Sequence, residues 1–135
     1  MAYWFVRSEP DVYSIDDLKR DGKTTWDGVR NNAAALHLKT MKVGDEVIFY
    51  HSNIGKEVVG VAKVVKEAFP DASDPTGRWV AVELGYGRHL PKSVPLPDLK
   101  AEPALSQMAM IRQSRLSVSP VTADEWKVVL KMAGA

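Results

Sequence analysis

The chain has 135 residues, a length that suits one domain spanning 1–135, and surface scaling allows about two-thirds of the unfolded chain's surface to be buried. With 45% hydrophobic and 26% charged residues and no Cys, it excludes intrinsic disorder, low-complexity architecture, disulfide frameworks and thiol nucleophiles. Eighteen Lys and Arg against 17 Asp and Glu leave a net charge of +1, so bulk charge argues for no particular partner.

Tyr3-Trp4-Phe5-Val6 opens the chain as a short β-type run. Ser14-Ile15-Asp16-Asp17-Leu18 then starts a helix, with Ser14 as N-cap, Asp17 in the capping-box position and Tyr13 and Leu18 as the apolar staple. A second helix is predicted over residues 32–41, capped by Asn31 or Asn32 and stopped by Gly44, with Ala34, Leu38 and Met41 on one face. Val47 to Tyr50 is apolar at every position, as a strand buried on both faces would be. Val58 to Lys66 follows as a strand with a bulge at Gly60, and Trp79 to Leu84 alternates as another. Leu116 to Val118 forms the last strand. Thr122-Ala123-Asp124-Glu125 is a full capping box opening a C-terminal helix whose apolar face carries Trp126, Val129, Leu130 and Ala133. The middle strands lie too close together for crossovers. The expected architecture is α+β: a largely antiparallel, partly closed barrel decorated by about three helices.

Four segments carry candidate chemistry. Trp26-Asp27-Gly28-Val29-Arg30-Asn31-Asn32 combines a stacking face, a carboxylate, a guanidinium and two amides, the groups that read a base and its phosphate. Equally, Trp26 could be core, Asp27-Gly28 a turn and Asn31 a cap. His51-Ser52-Asn53 sits directly after an apolar strand, where a rigid scaffold presents side chains to ligands, although it also reads as an ordinary polar turn. Glu9, in Ser8-Glu9-Pro10, suits an exocyclic amine or plain solvent. Arg115-Leu116-Ser117 leads into a strand from the acid-free window 103–123, one of three such windows with 28–44 and 84–97. If these windows converge, Arg30, Lys39, Lys42, Arg112 and Arg115 supply phosphate contacts.

Enzyme signatures are weaker. His37, His51 and His89 fit no metal-ligand spacing, and Gly85-Tyr86-Gly87 lacks the third Gly of a dinucleotide loop. Adjacent His51 and Ser52 on one strand point to opposite faces and make a poor catalytic dyad. Neither a metal nor a cofactor is expected. No run approaches the ~18 apolar residues of a membrane span, and the N-terminus lacks signal-peptide order, so a soluble cytoplasmic protein without membrane contacts is expected.

Taken together, Tyr3-Trp4, Ser8-Glu9-Pro10, Tyr13-Ser14, Trp26-Asp27-Gly28-Val29-Arg30-Asn31, Met41 to Asp45, Phe49 to Asn53, Pro70-Asp71 and Arg115 to Val121 make the chain resemble the EVE domain family over nearly its whole length. That resemblance implies a PUA-like pseudo-barrel related to the YTH and SRA base-reading domains, without cofactor. It implies binding of nucleic acid, DNA or RNA, that carries a modified base, modified cytosine foremost. Carried over position by position, it implies a pocket of Ser8, Glu9, Trp26, Val29, Asn31, His51, Ser52 and Asn53, with Arg115, Leu116 and Ser117 along its wall. Two departures stand out: Asn32 where many relatives carry an aromatic, and a short segment from Asp71 to Gly77. The expectation is thus a non-catalytic, monomeric reader, with Trp26 stacking on an extruded base, Asn31, Ser52 and Asn53 reading its edge and Val29 tuning a methyl slot. An enzyme acting on modified nucleic acid through Glu9 or His51, or a metabolite or protein-docking module, are the alternatives.

Overall fold

The computed structural model describes residues 1–113 and 115–135. Its accessible surface is 7037 Å², close to the roughly 7,000 Å² that scaling gives for a chain of this size. Elements run in the order β1 (Tyr3–Ser8), α1 (Ile15–Asp21), β2 (Lys23–Trp26), α2 (Asn32–Thr40), β3 (Glu46–His51), β4 (Glu57–Pro70) and β5 (Val80–Pro95). There follow α3 (Leu96–Ala101), a 3₁₀ turn (Pro103–Leu105), α4 (Ala109–Arg112), β6 (Val118–Val121) and α5 (Ala123–Met132).

The helix ends are fixed locally. Ser14 Oγ accepts from the Asp17 N–H at 3.1 Å, and the Asp17 carboxylate accepts from the Ser14 N–H at 2.9 Å. Thr122 and Glu125 repeat the arrangement at α5. Asn31 is the cap of α2, its Oδ1 accepting from the Ala34 N–H at 3.0 Å.

The six strands form one sheet in the order β2-β5-β4-β3-β1-β6. Four of the five pairings are antiparallel, as expected, and two further features were not anticipated. β1 and β3 run parallel, Ser8 opposite His51, with α1, β2 and α2 as the crossover that a parallel pair requires. The sheet is also open, ending at β2 and β6, so the architecture is mixed α+β without barrel closure among the described residues. Among the described residues five α-helices, not about three, accompany it. The extra ones, α3 and α4, are only six and four residues long and carry too few turns to show a periodic stripe.

Both faces of the sheet are covered, which explains the unbroken apolar run in β3. Trp4, Val6, Val47 and Phe49 join Leu18, Ala34 and Leu38 in the core under α1 and α2. Phe5, Ile48 and Tyr50 join Leu99, Met110 and Trp126 in a second core under the later helices. The register between β3 and β4 passes from Phe49–Gly60 to Tyr50–Val58, leaving Val59 as the bulged residue beside the glycine predicted to mark it. β5 runs on past Leu84 through two glycines, where the sequence reads as a strand end. At Gly87 a side chain would collide with the Val61 backbone, and at Gly85 a Cβ would lie 2.9 Å from Val65 Cγ1. Close strand approach, not a turn, is what these glycines serve.

Candidate functional site

β1 and β3 end side by side at Ser8 and His51, and the loops that follow are tied together by the Ser52 N–H donating to the Ser8 carbonyl at 2.9 Å. Alternation sends Ser8 and His51 to the α1/α2 face, and Arg7 and Tyr50 to the other. Loops at the carboxyl ends of parallel strands are a favoured place for ligands.

On the α1/α2 face, Trp26 closes β2 half-buried, edge-on to Phe49 at 5.8 Å with the rings 80° apart. Ser8 and Trp26 line one cleft of about 300 Å³ together with Val12, Tyr13, Thr24, Thr25 and Asp27. The volume is at the lower end of the range for small-ligand sites. Ser8 Oγ donates to the Tyr13 carbonyl, which pins the loop between β1 and α1 across the cleft floor.

The turn after Trp26 is held by Asp71, whose side chain is completely buried. Its Oδ2 accepts from the Gly28 N–H at 2.9 Å and from Arg30 at 3.0 Å, and its Oδ1 from the Ser73 N–H and hydroxyl at 2.8 and 2.6 Å. The Ser73 hydroxyl, with Gly28 and Arg30 behind it, holds this carboxyl far below the usual carboxylate range. Gly28 takes φ +75°, a conformation that favours glycine. Arg30 also reaches Ser73 Oγ at 3.1 Å, so its guanidinium, 39% exposed, is engaged within the protein on one side. Val29, 7% exposed, belongs to the core.

Asn31, while capping α2, lines a second cleft of about 340 Å³ with Ala33, Gln113, Arg115 and Leu116, which brings windows 28–44 and 103–123 together. Asn32 Oδ1 accepts from Arg78 at 2.9 Å. Ser117 is half-buried and its carbonyl accepts from the Arg7 N–H at 3.1 Å. Lys39, Lys42, Arg112 and Arg115 are exposed, with Arg112 only 3.4 Å from Gln107 Oε1. Ser52 and Asn53 line a third cleft, of about 280 Å³, on the opposite face of the sheet.

Two candidate catalytic groups are already occupied. His51 Nε2 accepts from the Ile15 N–H at 3.1 Å, which fixes the proton on Nδ1, and burial pushes the imidazole below its usual pKa of 6.5. Glu9 accepts from Asn53 Nδ2 at 2.8 Å. Among the described residues no three His, Asp or Glu side chains gather to hold a metal.

Ser8 and Trp26 therefore meet, as do Asn31 and Arg115, and Ser52 and Asn53. Asn31 lines one cleft, and Ser52 and Asn53 line another. Sequence reasoning included the Asp27 carboxylate in its recognition segment but left out Val12, Tyr13, Thr24 and Thr25, which line the same cleft. The signal was present in Thr24-Thr25 directly before Trp26, a β-type tripeptide whose strand went unassigned because it is only four residues long.

Among known proteins, the model of the EVE domain matches residues 2–132. Mouse thymocyte nuclear protein 1 is 36% identical over 164 residues, covering 96% of this chain and 73% of its own length. An NMR structure of a Rhodopseudomonas palustris protein is 48% identical with a TM-score of 0.94, covering 99% of this chain and 94% of that one. The crystal structure of human THYN1 protein in complex with DNA containing 5-methylcytosine is 32% identical with a TM-score of 0.94, covering 100% of this chain and 99% of that one. A YTH domain from Zygosaccharomyces rouxii shares the fold at a TM-score of 0.60 and 18% identity. With the family model spanning nearly its whole length, this chain belongs to the EVE domain family.

Proposed function

We propose that this protein binds nucleic acid and reads a modified base, of the 5-methylcytosine class, in the cleft between Ser8 and Trp26. The observation that carries the reading is the match, along the entire chain, to a human protein whose structure holds 5-methylcytosine DNA. The cleft supplies chemistry suited to such a base. The half-buried Trp26 offers a stacking surface, and Thr24, Thr25 and Ser8 offer hydroxyls. The exposed Asp27 carboxylate accepts from the exocyclic amine of cytosine, a contact that thymine cannot make.

Extruding a base costs a few kcal/mol, and stacking returns about 1–3 kcal/mol per base, with a comparable amount from each good edge contact. The balance is close to even, so phosphate contacts must add to it. Lys39, Lys42, Arg112 and Arg115 are exposed for that role. The hydrogen bonds that occupy Glu9 and His51 argue against hydrolytic chemistry through either group. No bond is broken in this reading; the protein recognises and holds.

Fluorescence anisotropy against matched single- and double-stranded DNA and RNA, with plain or modified cytosine and at two salt concentrations, tests it. A preference of tenfold or more, about 1.4 kcal/mol, is expected for one modified polymer. Equal binding of plain and modified oligonucleotides, or none, overturns the reading.

A further inference from the structure

Arg7 follows the alternation of β1 onto the face opposite the Trp26 cleft, and its surroundings pose an electrostatic problem. Its guanidinium lies 5.6 Å from the centre of the Tyr50 ring, and Nη2 reaches the Met110 carbonyl only at a long 3.4 Å. Nε is buried without any hydrogen-bond partner, and among the described residues no carboxylate pairs with the group. Burial draws the arginine's pKa below its usual range. A half-buried cation with an orphaned donor and no counter-charge is costly, and proteins ordinarily satisfy such groups.

The cleft into which Arg7 opens, about 280 Å³, adds two more cations, Lys56 and Lys100, and the Ser52 hydroxyl, and none of its lining residues is acidic. Lys56 adopts φ +47° and Asn53 φ +64°, left-handed values uncommon outside glycine, in the loop that carries both to the cleft wall. Two acids border this loop without lining the cleft: Glu9, whose carboxylate accepts from Asn53 Nδ2, and Glu57, whose carboxylate packs beside Gly55. Three cations from β1, the β3–β4 loop and α3 thus converge from separate elements, beside one hydroxyl donor.

We propose that this cleft is an anion site that takes a phosphate group. Arg7 forms the floor of the site, Lys56 and Lys100 are its point charges and Ser52 is a neutral donor. Guanidinium and ammonium donors around one hydroxyl are the set that a phosphate dianion uses. Because the cleft lies on the other face of the sheet from Trp26, it is a second site and stands apart from the base-reading proposal. The phosphate comes either from the backbone of a nucleic acid that wraps past the end of β1 and β3 or from a free phosphorylated small molecule.

The test is an NMR titration of the ¹⁵N-labelled protein with inorganic phosphate at constant ionic strength, chloride serving as the reference salt and the Arg7 Nε–Hε signal as the reporter. A saturable shift is expected in the wild type. The same shift should need about tenfold more phosphate in the K56A/K100A variant, where one charge-assisted contact or more is lost. Those lysines are exposed, so the variant should keep its melting temperature. Displacement of bound phosphate by an unmodified oligonucleotide assigns the site to a nucleic-acid backbone; undiminished phosphate binding beside the oligonucleotide assigns it to a free phosphorylated ligand. A shift that never saturates, or that saturates identically in K56A/K100A, overturns the proposal. Failure of modified-base binding leaves this titration untouched, so the two readings fall separately.

Discussion

Replacing Asp71 by Asn tests how the recognition turn is held. The carboxylate accepts four hydrogen bonds, two of them from Gly28 and Arg30 on the turn and two from Ser73. An amide keeps one acceptor oxygen, places an NH₂ against donors and strips Arg30 of its counter-charge. Hydrogen bonds to a charged group contribute about 1.5–3 kcal/mol each, and breaking a fully buried pair costs about 3–5 kcal/mol. The Arg30 side chain is 39% exposed, and water compensates part of its loss, so about 2–3 kcal/mol is expected. For a chain of this length that lowers the melting temperature by about 7–10 °C at pH 7. The folded carboxyl has a depressed pKa, so its contribution is complete above the ordinary value of 3.8 and is lost as the pH falls past that value towards the folded one. The stability difference between wild type and D71N, followed by calorimetry from pH 7 to pH 3, should therefore narrow by about 1 kcal/mol without closing, because pH 3 still lies above the folded value. Melting curves within 1 °C of each other at pH 7 would refute the assignment of Asp71 as the anchor of the turn.

Trp26→Ala should weaken binding of a modified oligonucleotide about tenfold or more, and Trp26→Phe should restore much of it, as read by anisotropy below the melting temperature. Unchanged affinity in the Ala variant would remove the stack. Burial holds His51 below its usual pKa of 6.5 and His37 likewise. The unfolded chain then binds more protons just below pH 6.5, and stability falls as the pH drops through that value. His51→Gln should flatten part of this slope in denaturant titrations between pH 7 and pH 5, leaving the part due to His37. Gly87→Ala puts a methyl group against the Val61 backbone and should cost about 1–3 kcal/mol in the same assay. Removing one of Lys39, Lys42, Arg112 or Arg115 should reduce the slope of log K against log salt by about 0.9 if that residue contacts a duplex phosphate, whereas a wild-type slope near zero would leave all four without that role.

What could be read from the sequence follows the range of the interactions involved. Capping boxes at Ser14 and Thr122 act within four residues, so they were legible letter by letter. So was the two-faced burial of β3, because its cause is the unbroken run from Val47 to Tyr50. The parallel pairing of β1 and β3 was not, since it depends on a crossover whose middle strand, β2, is too short to show alternation. Gly85 and Gly87, weighed in the sequence only against a dinucleotide loop, serve close strand approach, which only the neighbouring strand reveals. Ser8 and Trp26, expected together in the pocket, line one cleft. Asn31, Ser52 and Asn53 were grouped by residue type, yet the loops bearing them open onto different clefts. Asp71 was quoted only as part of a motif, because a carboxylate 43 residues from Gly28 gives no local sign that it will accept from its N–H.

The two open margins of the sheet bear on self-association. An unpaired strand is a template for another chain, and proteins that stay apart keep such strands short, charged or interrupted. β2 has four residues and begins with Lys23; β6 has four and contains Pro120, which has no N–H to give to an incoming strand. Neither margin therefore offers the long run of donors and acceptors on which chains would stack edge to edge, and a molecule with an unclosed sheet can remain a single copy at high concentration.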